Sequence, residues 1–185
     1  MLKLSILLIM FPLLLSAQEK MVKTKVNDNI TAKLPENFYP MSADDIAQRY
    51  PSVRKPLAAY TDDSRYVGFS INISATQWMP TDAAIAKDFF KASLFNLYDK
   101  VEVISEGIKE INGREFIYFE FDSQVNGEQH SFTNEGPMRK YAYVQYLIVR
   151  GKTIVFSFNC PLQLKAKWQQ AAGEIMNSLK VKGSL

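Results

Sequence analysis

The stretch YAYVQYLIV, residues 141–149, has the pattern of a strand that is apolar on both sides. Successive side chains of a strand point to opposite faces, so Ala142 and Val144 share one face while Tyr143 and Leu147 share the other. A strand that is apolar on both sides needs cover on both faces of its sheet. We therefore predict that this stretch forms a central strand with a packed layer on either side.

Turn signals place antiparallel neighbours beside the central strand. Arg150-Gly151 joins it to a second apolar run, and Asn112-Gly113 separates two further runs that alternate with a period of two. Dipeptides of this kind favour tight hairpin turns. The other predicted strands are residues 67–73 and 115–122, with a short hairpin near residues 21–26 and 30–34.

Three segments have the apolar periodicity of helices. The first begins at Ser42, with Asp45 completing a capping-box pattern, and ends before Pro51. The second begins near Thr81-Asp82, and the third covers residues 162–179. The apolar face of the second is predicted to be Ala86, Phe89, Phe90, Ser93, Leu94 and Leu97, and that of the third Trp168, Ala171, Ala172, Ile175, Met176 and Leu179. A single stripe of this kind packs on a flat surface.

These elements predict an α+β fold: a central antiparallel sheet flanked by helices on both faces, an α/β/α sandwich. No repeat, linker or low-complexity tract divides the sequence. We therefore expect residues 18–185 to form a single domain.

Residues 1–17, MLKLSILLIMFPLLLSA, have the three parts of a secretory signal: Lys3, an apolar run and small residues before Gln18. The apolar run of about 12 residues is shorter than the about 20 that a membrane-spanning helix needs. A buried N-terminal helix is the alternative. We predict cleavage after Ala17, a periplasmic or extracellular protein, and no transmembrane segment in the mature chain.

The composition excludes several classes of chemistry. The chain has 185 residues, one Cys and one His, which are too few for a His/Cys metal site or an intramolecular disulfide. Loss of Lys3 with the signal lowers the net charge from +3 to +2, too little to indicate nucleic-acid binding. We predict no cofactor and no metal. Cys160 lies in phase with Ile154 and Phe156, which favours a buried side chain over a reactive thiol.

Two stretches resemble a known family. Leu34-Pro35-Glu36-Asn37-Phe38 is similar to the Leu-Pro-x-Gly/Asn-aromatic entry of PsbP/Mog1-like domains. Residues 150–161, RGKTIVFSFNCP, resemble their closing Gly turn, strand and Pro, followed by a helix with Trp168. Leu179 stands where the family usually has Phe, and the order of elements fits across residues 21–182. The resemblance implies the sandwich fold, and a family composed mostly of non-catalytic accessory or binding modules.

No catalytic residues are predicted. His130 lies in a polar stretch, and neither a Gly-x-Ser-x-Gly elbow nor a Ser-x-x-Lys pair is present. Helix capping explains Asp44-Asp45, and turn chemistry explains Asp62-Asp63. Glu115 and Glu120 fall on opposite faces of their strand. A pair of carboxylates that meets only in three dimensions stays open as an alternative.

The candidate partner-binding residues lie in two places. Trp78 and Met79 stand at a strand-to-helix corner, and Arg139, Lys140 and Tyr141 lead into the central strand. Aromatic and Arg side chains are enriched at interface hot spots, although corner packing is the alternative role.

Three functions follow from these observations. The first is an exported, non-catalytic binding or assembly-accessory protein whose partner is another envelope or secreted protein. The second is a carrier that holds a small apolar or amphipathic ligand between sheet and helix. The third is a hydrolase with dispersed carboxylates. An exposed apolar patch, an enclosed apolar pocket and a deep cleft with convergent ionisable groups would distinguish them.

Overall fold

A computed structural model describes residues 19–50, 54–126 and 137–183. The predicted signal, residues 1–17, and His130 lie outside the described residues. Within them the strands are β1 Met21–Lys25, β2 Ile30–Pro35, β3 Tyr39–Pro40, β4 Ala58–Thr61, β5 Gly68–Ile73, β6 Lys100–Ile111, β7 Arg114–Val125, β8 Met138–Val149, β9 Lys152–Pro161 and β10 Lys180–Val181. The helices are α1 Ala43–Arg49, α2 Ala83–Leu97 and α3 Lys165–Asn177.

The large sheet is antiparallel and has seven strands in the order β3-β4-β5-β9-β8-β7-β6. The stretch 141–149 lies within β8, between β7 and β9, as predicted. Asn112 and Gly113 have φ of 49° and 75°, and Arg150 and Gly151 have φ of 46° and 75°. Both predicted hairpins are therefore confirmed, because type I′ turns need positive φ at both central residues.

Alternation along the strands divides the core into two clusters. Phe116 of β7 packs in one cluster, whereas Ile117, Phe119 and Phe121 pack in the other. The first cluster contains the buried side of α3, and the second contains the buried side of α2. Helices therefore cover both faces of the sheet, and the predicted sandwich is confirmed.

The α3 face is covered by two elements. Helix α3 contacts β8 and β9 of the large sheet and β2 of a three-stranded sheet, β1-β2-β10. The ring centroid of Trp168 lies 6.2 Å from that of Phe158 and 5.5 Å from that of Phe38. One large indole thus joins the last helix to β9 and to the segment after β2.

The α2 face has a narrower contact than the sequence predicts. Helix α2 buries Ala86, Phe90 and Leu94, which recur every four residues. Phe90 stacks on Tyr146 of β8 with 4.0 Å between ring centroids. The prediction was wrong for Phe89, Ser93 and Leu97, which are exposed, because a single row of side chains is enough to seat this helix on a flat sheet.

Helix α1 lies at the periphery. Ser42 is its N-cap, and its hydroxyl accepts a hydrogen bond from the Asp45 amide at 3.1 Å, as the capping pattern predicts. The same Ser42 hydroxyl is the main reason why the pKa of Asp45 is lowered. No residue of α1 is buried. Across the described ranges, no helix has the length and apolar character needed to cross a membrane.

Candidate functional site

The corner before α2 has a fixed geometry. Residues Pro80–Asp82 form a single 3-10 turn, and the Asp82 carboxylate accepts a hydrogen bond from the Met79 amide at 3.1 Å. The ring centroid of Trp78 lies 5.3 Å from that of Phe89 and 6.1 Å from that of Phe90. The corner therefore holds Trp78 against both the buried and the exposed side of the helix.

An exposed apolar surface surrounds this corner. Met79 is 58% exposed, Ile85 67% and Phe89 43%, and Trp78 lies half-buried behind them. We call these four residues the α2 patch. The indole Nε1 of Trp78 is buried and has no hydrogen-bond partner among the described residues. Contiguous exposed apolar surface on a folded protein is typical of an interaction site.

A cleft of ≈ 400 Å³ adjoins the α2 patch. Pro80 and Ala83 line it on the helix side, and Arg114, Glu115 and Arg150 line it near the two hairpin turns. The guanidinium of Arg114 donates to the Gly183 carbonyl at 3.2 Å. Apolar surface and charged groups thus lie side by side at this end of the sheet.

The second predicted group lies far from the first. Trp78 packs on Phe90, which in turn stacks on Tyr146 of β8. Lys140 and Tyr146 are six residues apart on β8, which corresponds to about 20 Å. Arg139 is exposed and donates to the Gln124 amide oxygen at 3.0 Å. The structure therefore does not bring Arg139 and Lys140 together with Trp78 and Met79.

Tyr141 lies in the core and not on the surface predicted for it. Its side chain is fully buried, and its hydroxyl donates to Glu120 at 2.9 Å. The pKa of Tyr141 is raised, first by burial and then by the charge of Glu120. An odd-numbered residue of β8 points toward α3, so Tyr141 supports the fold beneath any surface that Arg139 and Lys140 form.

A polar network that the sequence analysis missed crosses the α3 face. The Glu120 carboxylate accepts hydrogen bonds from Tyr141 at 2.9 Å, from Gln169 of α3 at 2.7 Å and from Ser105 of β6 at 2.8 Å. An acid in phase with the aromatic residues of β7 is the sequence signal that could have found it. Because three elements meet at one carboxylate, this network positions α3 on the sheet.

Lys109 forms a second junction on the same face. Its ammonium donates to the Tyr143 hydroxyl at 2.8 Å and to the Asn177 side chain at 2.7 Å, and it lies 4.8 Å from the ring centroid of Tyr118. Burial lowers the pKa of Lys109 and raises the pKa of Tyr143 to about 12. These titratable groups are engaged in holding β6, β7, β8 and α3 together.

Two carboxylates that come close in space, Glu102 and Asp122, are paired with lysines. Glu102 and Asp122 lie directly opposite each other on β6 and β7. Lys100 neutralises Glu102, and Lys165 lies 2.7 Å from Asp122. They line a space of only ≈ 110 Å³, below the about 300–1,000 Å³ of ordinary small-molecule sites. Within the described residues, no group of three or more His, Cys, Asp or Glu side chains could hold a metal ion.

Cys160 is buried in the α3-face core. Burial is the main reason why the pKa of its thiol is raised to about 12. A thiol with so little thiolate near neutral pH is a poor nucleophile. Its surroundings fit the packing role that the phase of the strand predicts.

Comparison with known proteins identifies the fold. No family model matches the sequence, and no curated protein matches it. The cyanobacterial PsbP protein CyanoP of Synechocystis sp. PCC 6803 superposes with a TM-score of 0.58 at 14% identity, over 90% of this chain and 94% of that one. The chain has the PsbP/Mog1 fold.

Two further structures of the PsbP/Mog1 fold agree with this assignment. The Ran-binding protein Mog1p of Saccharomyces cerevisiae has a TM-score of 0.57 at 14% identity, over 89% of this chain and 96% of that one. LpqN of Mycobacterium tuberculosis, involved in cell envelope biogenesis, has a TM-score of 0.54 at 10% identity, over 89% and 91%. At these identities the similarity establishes the fold alone.

Proposed function

We propose that this chain is an exported, non-catalytic binding or assembly-accessory protein whose α2 patch contacts another envelope or secreted protein. One observation carries the proposal: α2 exposes Ile85 and Phe89 while the residues that follow each of them, Ala86 and Phe90, are buried. A helix with large apolar side chains on both its inner and outer surfaces is suited to lie between two packed layers.

The energetics favour a partner on this surface. Fully burying a side chain of the size of Ile85 or Phe89 stabilises an assembly by about 1.5–3 kcal/mol. In the isolated chain part of that free energy is not realised, because Ile85 is 67% exposed and Phe89 is 43% exposed. A partner that covers the α2 patch would gain it.

The adjoining cleft indicates the chemistry of the partner. Arg114, Arg150 and Glu115 line it, so two cations and one carboxylate lie beside the apolar side chains of the patch. Charge complementarity at the edge of an interface favours encounter and orientation. We therefore expect a partner segment that carries an apolar anchor next to an acidic residue.

Two further observations support export and a binding role. Residues 1–17 have the composition of a secretory signal, with Gln18 as the first mature residue. Among proteins of the same fold, LpqN is involved in cell envelope biogenesis and Mog1p binds Ran. N-terminal sequencing of folded, secreted protein should begin at Gln18, and a sequence that begins at Met1 would contradict export.

The other two functions receive less support from the packing. Phe90 and Tyr146 fill the space between α2 and the sheet, where the carrier hypothesis needs an enclosed pocket. For a hydrolase, Glu102 and Asp122, which lie opposite each other, are neutralised by lysines in a small space. By contrast, no packing among the described residues covers the exposed parts of Ile85 and Phe89 on α2.

The test compares two variants of α2 in the mature chain. Ile85→Ser/Phe89→Ser removes the large side chains of the patch, whereas Phe95→Ser removes an aromatic residue of similar exposure, 48%, on the side of the helix next to β6. Immobilised wild-type protein and the Phe95→Ser variant should retain the same envelope protein, and the double variant should lose it. Equal retention by all three, or equal loss from both variants, would overturn the proposal.

A further inference from the structure

Lys140, one of the predicted binding residues, lies on the α2 face of the large sheet. Ala142 and Val144, the next even-numbered residues of β8, belong to the core on that face, so Lys140 points to the same side. Its neighbour Arg139 points to the other side, toward Gln124. The Lys140 side chain is exposed, and neither the α2 patch nor the α3-face network includes it.

Asn159 of β9 lies beside Lys140 on the same face. Ala142 pairs with Asn159, and Asn159 pairs with Gly68 of β5. Lys140 is two residues from Ala142, so it is a diagonal neighbour of Asn159, with about 7–8 Å between their backbones. Lys140, Asn159 and Gly68 therefore follow one another across three adjacent strands.

Arg49 of α1 lies over Gly68. A methyl group on Gly68 would lie 3.1 Å from the Nη1 atom of Arg49 and 3.3 Å from its Cζ atom, so the glycine leaves the room that the guanidinium occupies. Nη2 donates to the Tyr66 carbonyl at 3.0 Å, and Nη1 lies 3.5 Å from the Thr61 hydroxyl. Both partners are neutral, so these contacts position the guanidinium without neutralising its charge.

The charges of Arg49 and Lys140 act on each other. Loss of surrounding water is the main reason why the pKa of Lys140 is lowered, and the charge of Arg49 lowers it further. Within the described ranges no carboxylate opposes this effect, and the Lys140 ammonium has no hydrogen-bond or ion-pair partner. Asp45, four residues before Arg49, is bound by Arg65 at 3.0 Å, and the charge of Arg65 lowers its pKa more than that of Arg49 does.

An anion between the two cations would relieve their repulsion. A phosphoryl group carries a charge of about −1.5 to −2 near neutral pH and has three strong acceptor oxygens. A guanidinium, an ammonium and an amide offer donors from three directions, which match several oxygens on one centre. A carboxylate has one charge and two oxygens, and it matches two cations less well.

We propose that Arg49, Lys140 and Asn159 bind a phosphoryl group, either free phosphate or a phosphate monoester. The guanidinium and the ammonium contact its oxygens, and the Asn159 amide donates to it. Gly68 is a positioning residue, because it makes room for the guanidinium of Arg49. This is a second binding activity, and it does not depend on the α2 patch.

The test is a titration of isotopically labelled residues 18–185 with inorganic phosphate, followed by NMR at constant ionic strength. We expect saturable shifts of the Asn159 side-chain amide and the Gly68 backbone amide, with a Kd of about 1 mM because the site is partly open to water. Chloride and acetate, which carry one charge, should bind at least about tenfold more weakly. Methyl phosphate is the second probe, and tighter binding than that of phosphate would identify a monoester as the ligand.

Two variants of neighbouring residues distinguish the site. Lys140→Gln should weaken phosphate binding about three- to tenfold. Arg139→Gln removes the same charge from the next residue of β8, on the other face of the sheet, and should leave the affinity within about twofold. Arg49→Gln should have an effect similar to that of Lys140→Gln. Circular dichroism and thermal melting confirm that the variants are folded.

Several results would overturn the proposal. Equal affinity of the wild type and the Lys140→Gln variant would place the anion elsewhere. Equal shifts with chloride and with phosphate would show a general effect of salt. Binding to phosphatidylglycerol vesicles without binding of inorganic phosphate or methyl phosphate would make this face a membrane-contact surface.

Discussion

The two faces of the large sheet are covered in different ways. On one face α3 buries Trp168, Ala171, Ala172, Ile175 and Met176 and also contacts β2. On the other face α2 buries only Ala86, Phe90 and Leu94 and leaves Ile85 and Phe89 exposed. Helix α3 therefore buries its large apolar side chains within its own chain, whereas α2 leaves some of its large apolar side chains exposed. The difference indicates that the α3 face supplies stability and that the α2 face is available for binding.

The largest expected effect lies in the α3-face core. Trp168→Ala removes a side chain that is 1% exposed and packs on Phe38 and Phe158. We expect the free energy of unfolding to fall by about 3–5 kcal/mol, because the cavity cannot collapse fully. Urea denaturation of residues 18–185 measures it. A loss below about 1 kcal/mol would contradict the assignment of this core as the main source of stability.

A smaller loss is expected when the polar network is cut. Tyr141→Phe removes the hydroxyl that donates to Glu120 at 2.9 Å. We expect a loss of about 1–3 kcal/mol, since a carboxylate loses one of its donors in a site where water does not replace it well. Tyr66→Phe, at a side chain that is 67% exposed, is the control and should stay within about 0.5 kcal/mol. Equal stability of both variants would show that the network is not structural.

Acid should loosen α2 from β6. The Glu106 carboxylate accepts from Lys87 at 2.8 Å and from Lys91 at 3.0 Å, and these hydrogen bonds lower its pKa. A carboxyl whose pKa is lowered on folding stabilises the fold above its ordinary pKa, and the contribution disappears as the pH falls through the lowered value.

Hydrogen exchange measures this effect. Between about pH 5 and pH 3, the opening free energy of α2 amides should fall relative to that of α3 amides. Glu106→Gln should remove this difference in pH dependence. If the variant behaves like the wild type, the two lysines do not anchor α2 through Glu106.

The smallest effect on stability is expected on the α2 patch itself. Ile85→Ser changes a side chain that is 67% exposed, so the free energy of unfolding should stay within about 0.5 kcal/mol. The same substitution at Ile175, which is fully buried in α3, should cost several times more. Thermal or urea unfolding of the two variants measures both losses of stability and so compares the two helices directly. Similar losses at both positions would mean that Ile85 already packs within the chain.

Sequence patterns were sufficient for the layers and the turns. The two-sided apolar stretch within β8 predicts cover on both faces, and the dipeptides at Asn112 and Arg150 predict both hairpins, because these features depend on local geometry. The width of the α2 contact could not be predicted. Helical periodicity places Phe89 on the apolar face of α2. Whether another part of the protein covers that side chain is decided by elements far away in the chain.

Long-range placement decides the rest of the candidate site. The position of Trp78 at a strand-to-helix corner is visible in the sequence. Its distance from Arg139 is not, because it depends on the end of β8 near which each side chain lies. The Glu120 network combines residues that are far apart in sequence. No spacing within one segment reveals such groupings.

Photo-crosslinking in intact cells tests the central contrast most directly. A benzoyl-phenylalanine at position 89 probes the α2 patch, and one at Gln170, an exposed position on α3, probes the other face. We expect a discrete protein adduct from position 89, its loss when Ile85→Ser is added, and no such adduct from position 170. An adduct from position 170 with none from position 89 would contradict it.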